Sequence, residues 1–220
     1  MMIKQVLFAA AALGALVSVP ASAATLVSEQ GSAATFAAPA GALTFNFNAP
    51  TSAFTLTNAA ITSGTTPLSC VTGCSAAPAF SDGSGYLAVY GGGTASYQGS
   101  AAFESVSFFL GSIDTFNSVR IFSTTGALIA AYTGADFTLP FEPNGDRSFP
   151  YFNRRVTYSV GSGEAKIGGI SFSSGLNSAE VDNVVFAVPE PSTWLTMLAG
   201  FGMIGLAMRA RRRRTNVVFA

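Results

Sequence analysis

The sequence predicts an all-β fold, a two-sheet antiparallel sandwich, on three observations. Charged residues make up only 10% of the 220 positions, and a chain dominated by Gly, Ser, Thr, Ala and Phe suits strands and tight turns better than solvated helices. Short β-rich runs recur at sandwich-like spacing, several with apolar and polar residues in alternation. No segment between them carries a helical period.

The elements follow in chain order. Residues 1–23 read as a signal peptide for Sec export. Lys4 supplies the charge, Val6 to Val19 the apolar run, Pro20 a helix stop and Ala21-Ser22-Ala23 an A-x-A cleavage site. At some 14 residues the run falls short of the ~20 that a membrane span needs. The ectodomain is placed at 24–187, with a weakly ordered start or an edge strand over the small residues Glu29 to Ala42.

The strand candidates are Leu43 to Phe47, Phe54 to Leu56, Tyr86 to Tyr90, Phe103 to Leu110, Val119 to Phe122, Leu128 to Tyr132, Val156 to Val160, Ile167 to Phe172 and Glu180 to Val188. Turn chemistry separates them at Ser81 to Gly85, Gly91-Gly92-Gly93, Thr124-Thr125-Gly126 and Pro143 to Asp146. Leu139 to Pro150, flanked by prolines and carrying Glu142, Asp146 and Arg147, is longer than a hairpin turn and reads as an exposed functional loop.

A second apolar run, Trp194 to Met208, has no charge within it. A helix over 192–208 would reach roughly 25 Å, a short single transmembrane span. Five arginines beyond it (Arg209, Arg211, Arg212, Arg213, Arg214) fix the cytoplasmic side, and residues 215–220 form a cytoplasmic tail. Gly200 to Gly205 spells GxGxxG. A dinucleotide loop requires a preceding strand and a later acid, so these glycines are read as small residues for helix packing in lipid.

Val-Pro-Glu-Pro-Ser-Thr-Trp at 188–194, the apolar helix after it and the arginine cluster at 209–214 together resemble the PEP-CTERM sorting signal in its PEPxxWA variant. Leu195 stands where that variant usually has alanine, and Thr215 to Ala220 continue past the arginines. The resemblance implies a Gram-negative bacterium and an inner-membrane exosortase as partner. That enzyme would read Pro189, Glu190, Pro191 and Trp194, with Arg209 and Arg211 to Arg214 as the membrane anchor, and pass the protein to the cell surface or extracellular matrix. Gly111 to Val119 and Val181-Asp182-Asn183-Val184 are similar to ectodomains of exosortase-dependent surface proteins, which implies a lectin- or jelly-roll-like sandwich.

Composition excludes several chemistries. With no histidine, Ser-His-Asp and Cys-His catalysis are absent, and so is the commonest zinc ligand. The ectodomain holds five basic residues against ten acids, a balance unsuited to nucleic acid. Cys70 and Cys74 are expected to form a small local disulfide once exported. No cofactor is expected. Asp182 is a weak candidate for a structural calcium, with Asp82 or Asp114 as alternatives. Glu104, Glu142, Glu164 and Glu180 are read as solvated charges unless two of them line a groove. Tyr86, Tyr90, Tyr97, Tyr151, Phe152 and Tyr158 are candidates for a sugar-stacking platform, with Asn117 or Asn153 adding hydrogen bonds.

The expected function is a noncatalytic surface or matrix protein associated with exopolysaccharide. Two alternatives stand beside it: a secreted glycan-active enzyme, and an ectodomain left permanently anchored in the membrane.

Overall fold

The computed structural model describes residues 23–30, 37–63, 74–79, 84–188, 199–206 and 208–209. Among them ten strands form one antiparallel sheet: β1 (Thr25–Gln30), β2 (Leu43–Phe45), β3 (Thr55–Ser63), β4 (Gly85–Phe103), β5 (Ser105–Gly111), β6 (Asn117–Ser123), β7 (Leu128–Thr133), β8 (Arg154–Ser159), β9 (Ile167–Ser174) and β10 (Ala179–Ala187). The order is β1-β8-β5-β10-β4-β9-β6-β7, with β2 against β10 and β3 against β4.

The expectation of two separate sheets is corrected by β4. At 19 residues it belongs to both halves: Leu87 to Val89 pair with β10, while Gly93 to Gln98 and Phe103 pair with β9. The sheet therefore curls until its halves face each other. Phe108 of β5 meets Phe172 of β9 at 5.1 Å between ring centroids, although the two strands are not neighbours in the sheet. Val106, Leu110 and Val156 of one half join Val119, Ile121 and Ile170 of the other in a single buried core. Burial of such side chains stabilises by roughly 1.5–3 kcal/mol each.

The same strand corrects a predicted turn. Gly91-Gly92-Gly93 do not end a strand; they bend β4 where it passes from one half to the other, as strands do at sandwich corners. Gly92 has φ +74°, and a Cβ on Gly93 would lie 2.3 Å from the Asn58 carbonyl oxygen. β3 bends with it. Its register shifts between Thr57 and Ala59, Asn58 sits at φ 45°, and the Asn58 amide donates to the Gly91 carbonyl at 2.8 Å.

Other differences are smaller. Phe103 to Leu110 is split at Glu104 into the end of β4 and the start of β5. Glu29 and Gln30 belong to β1, which covers the outer edge of β8; residues 31–36 lie outside the described set. A five-residue helix, α1 (Gly134–Thr138), and a 3-10 turn (Pro150–Phe152) break the all-β pattern. Both lie on the connection from β7 to β8. Residues 199–206 and 208–209 are helical, but among the described residues no helix is long and apolar enough to cross a membrane. Residues 1–22 of the expected leader and residues 189–198 lie outside the described residues.

Candidate functional site

Sheet register gives the domain two poles. Thr25 pairs with Ser159, Ser159 with Ser105, and Ser105 with Ala187. The first and last strands thus meet the chain's two terminal segments in one transverse row, three strand spacings apart, or about 14 Å. The sheet is still paired at its last strand residue, where the Glu104 N–H donates to the Ala187 carbonyl at 3.0 Å. At the opposite end Gln30, Arg154, Leu110 and Val181 form the matching row, roughly 17 Å away along the strands.

The row holding the termini borders a groove of about 660 Å3. Ala24, Ser123, Tyr158, Glu164 and Lys166 are among its lining residues. Lys166 is ion-paired with Glu104. Of the four candidate glutamates only Glu164 lines this groove, and the smaller groove around Phe47 and Gly85 contains no acid. The two carboxyls that glycoside hydrolysis needs across a cleft do not come together in either.

The far pole is built by the β7–β8 connection, the segment the sequence marked as an exposed loop. It is held rigidly. The Asp136 carboxylate accepts from the Thr133 backbone N–H (2.7 Å) and hydroxyl (2.9 Å), capping α1. Thr138 donates its hydroxyl to the Phe141 carbonyl at 2.8 Å. Asp146 accepts from the Ser148 N–H and hydroxyl, and these bonds hold its pKa below the ordinary value. On this frame three rings cluster: Phe141 and Tyr151 at 4.5 Å, Phe149 and Tyr151 at 5.3 Å, Phe141 and Phe149 at 5.3 Å. Phe141 is 40% and Leu139 75% exposed. The Arg154 guanidinium lies over the Tyr151 ring, 5.6 Å from its centroid.

The predicted tyrosine platform is not assembled. Tyr86 is buried on the outer face of the sheet against Ser75, Tyr97 packs with Phe45 and Phe54, and Tyr158 and Phe152 are core residues. Of those six, Tyr151 joins the ring cluster and Phe152 packs beneath it against Phe149; Phe141 is exposed, whereas Phe149 and Tyr151 are half-buried against the core. Phe141 and Phe149 were missed because phenylalanines are ordinarily core; the prolines around them were the available signal. Asn117 and Asn153 are corrected too. Both are 1% exposed and serve as internal hubs. Asn153 accepts from the Ala79 and Ser112 N–H groups and donates to the Arg147 and Phe149 carbonyls, while Asn117 accepts from the Asp114 N–H and donates to Ser174 and Ser178.

Beneath this pole the outer face of β10 buries charge. Glu180 is 4% exposed and accepts from the Ser178 hydroxyl. Loss of water pushes its pKa up to about 8, opposed by hydrogen bonds from Ser178 and the Ala76 backbone and by Arg147, and reinforced by Asp114. Its Oε2 is buried and has no hydrogen-bond partner among the described residues. Burial likewise raises Asp114 to about 6. Glu180 is thus no solvated charge. Asp182, the calcium candidate, is 1% exposed, accepts from the Asn183 N–H at 2.6 Å and supports the charge of Arg155, whose pKa burial lowers to about 10. A cation already stands beside Asp182, and among the described residues no three His, Cys, Asp or Glu side chains gather for a metal. Asp82 lies outside the described set.

Cys74 is disulfide-bonded; Cys70 lies outside the described residues, as do Pro189, Glu190, Pro191, Trp194 and Arg211 to Arg214. Arg209 is described, exposed and helical.

The family described as the PEP-CTERM protein-sorting motif matches residues 187–213. The chain therefore carries that motif, which implies exosortase-dependent export. It begins on the last residue of β10. No curated protein matches the chain. Among solved structures the chain is similar to that of CsCBM6-3 from Clostridium stercorarium in complex with cellobiose, at 16% identity and a TM-score of 0.32 over 61% of this chain and 86% of that one.

Proposed function

We propose that this chain is a noncatalytic exported protein that is held at the inner membrane by its tail, sorted by an exosortase and delivered to the cell surface or extracellular matrix, where its ectodomain associates with polysaccharide. The leader at 1–23 takes it through Sec. The helix at 192–208 and the arginines at 209 and 211–214 hold it while Pro189, Glu190, Pro191 and Trp194 are read, and residues 24–187 remain as the working domain. Two prolines in three residues keep the recognition site extended and open to a membrane enzyme.

The observation that carries this reading is polarity. Both terminal segments leave from one row of the sheet, the sorting motif starts where the last strand ends, and the cluster of exposed Phe141 with half-buried Phe149 and Tyr151 occupies the other pole. A domain tethered through Ala187 presents Phe141 and Tyr151 away from the membrane. Aromatic faces held on a rigid loop suit the apolar faces of sugar rings, and a low-charge surface suits neutral glycans.

Two measurements test this. The mass of the protein recovered from cells with and without their exosortase should differ by the removed tail; equal masses would mean permanent anchoring. The exported protein should be retained on polysaccharide, and a Phe141→Ala/Tyr151→Ala double variant should lose at least about tenfold in affinity with its fold intact, since each stacked ring contributes on the order of 1 kcal/mol. Unchanged retention would remove the aromatic pole from the function.

A further inference from the structure

We propose that Glu164 is a receptor for the chain's own new amino terminus, a binding site completed only when the leader is removed. The proposal rests on the reading of residues 1–23 as a leader cut after Ala23. In the fold the Ala24 backbone nitrogen lies 3.4 Å from Glu164 Oε1, beside the groove that Ala24, Glu164 and Lys166 line together. The carboxylate is set in place before any terminus arrives. Its other oxygen accepts from the Gly161 N–H at 2.7 Å, and the Glu164 N–H donates to the Gly161 carbonyl, so a tight turn aims the side chain.

Cleavage changes the chemistry of that contact. Hydrolysis of the Ala23–Ala24 peptide bond by a signal peptidase adds one water, leaving a carboxylate on Ala23 and an amine on Ala24 that takes up a proton at neutral pH, its pKa being about 8. A neutral amide with one donor becomes an ammonium with three, and its bond to Glu164 becomes charge-assisted, shorter and stronger. Among the described residues, the charged and titratable groups around the pair are Tyr158 of β8, whose pKa is raised by burial first and then by Tyr132 and Glu164, and Lys166, which lines the same groove and is ion-paired with Glu104.

The consequence falls on β1. It ends the strand order on one side of the sheet, paired to β8 at every position from Thr25 to Gln30, and an edge strand that frays exposes unpaired backbone to other chains. Pinning residue 24 fixes the end of that strand in the row from which Ala187 also departs. The amino-terminal edge is then fastened by processing itself.

The test uses the protein exported and purified from producing cells, with its amino terminus read by intact mass. Glu164→Gln is compared in two backgrounds, the natural chain and one with two residues inserted between Ala23 and Ala24, which restores an amide at Ala24 and moves the amine outward. At pH 7 the substitution should lower Tm by about 1–3 °C in the natural chain, the range for an exposed pair in a domain of this size, and by less than about 0.5 °C in the extended one. The difference between parent and Glu164→Gln should vanish by about pH 10, because a pair that raises the amine's pKa stabilises below about pH 8 and is lost above it. A terminus at Ala24 with equal losses in both backgrounds overturns the pairing alone; a terminus elsewhere overturns the leader reading and the pairing with it.

Discussion

The two poles of the ectodomain solve opposite problems. At the pole where Ala24 and Ala187 lie, charge stays near water, with Lys166 ion-paired to Glu104 and Glu164 accepting from the Ala24 backbone N–H, and a groove stays open. At the far pole, polar groups are buried and apolar rings are exposed, with Asn117, Asn153 and Glu180 inside and Leu139 and Phe141 outside. The difference teaches where fold energy is stored. Exposed pairs contribute little, because water screens them and side-chain entropy opposes them. A buried polar hub is costly to break, because its partners are left without water.

Asn153 sharpens that contrast most. Asn153→Ala leaves a buried and a half-buried N–H group and two carbonyls without their side-chain partner, and should cost about 3 kcal/mol in chemical denaturation. A loss below about 1 kcal/mol would mean that the far pole is not held from within.

Glu180 ranks next and has a distinctive pH signature. Its folded pKa of about 8 stands above the ordinary 4.5, so the folded state holds the proton more tightly than the unfolded chain does. Its contribution is present in full below about pH 4.5 and is lost progressively as the pH rises to about 8. Asp114, raised to about 6, drains stability in the same direction over the lower part of that window. Glu180→Gln should match the parent at pH 4 and exceed it at pH 9 by on the order of 2 kcal/mol. A parent that is more stable at pH 9 than at pH 5, with the variant unchanged, would contradict the burial of this carboxyl.

The smallest effect belongs to the other pole. Lys166→Ala removes a partly exposed ion pair and should cost less than about 1 kcal/mol, shrinking further in 0.5 M salt. A larger, salt-independent loss would make the two poles alike and undo the comparison.

Much of the fold was legible along the chain. Alternation placed Val119 to Phe122 and Val156 to Val160 in strands that the structure keeps, and Thr124-Thr125-Gly126 does form a turn, with Gly126 at φ 80°. Alternation is a local signal with period two, and local spacing sufficed there. Gly91-Gly92-Gly93 misled for an instructive reason. Three glycines permit either a reversal or a bend, and only the approach of Asn58 in β3 and the pairing of β4 to two different strands select the bend. The candidate site divides in the same way. The loop at 139–150 could be seen from its prolines. The ring cluster could not, because a phenylalanine in a sequence carries no mark of which side of the surface it will occupy.

The sequence by itself carried the sorting motif of PEP triplet, apolar run and arginines, and the apolar run with an A-x-A site that is read as a leader, because such signals depend on order and composition within a few neighbouring residues. It also settled that no histidine takes part in whatever the domain does. Only the tertiary structure decided that both ends leave one row of the sheet, that Glu180 is buried while Glu164 meets Ala24, and that two asparagines hold loops together. Those facts join residues as far apart as 140 positions, and separation along the chain fixes no separation in space until the sheet has closed on its core.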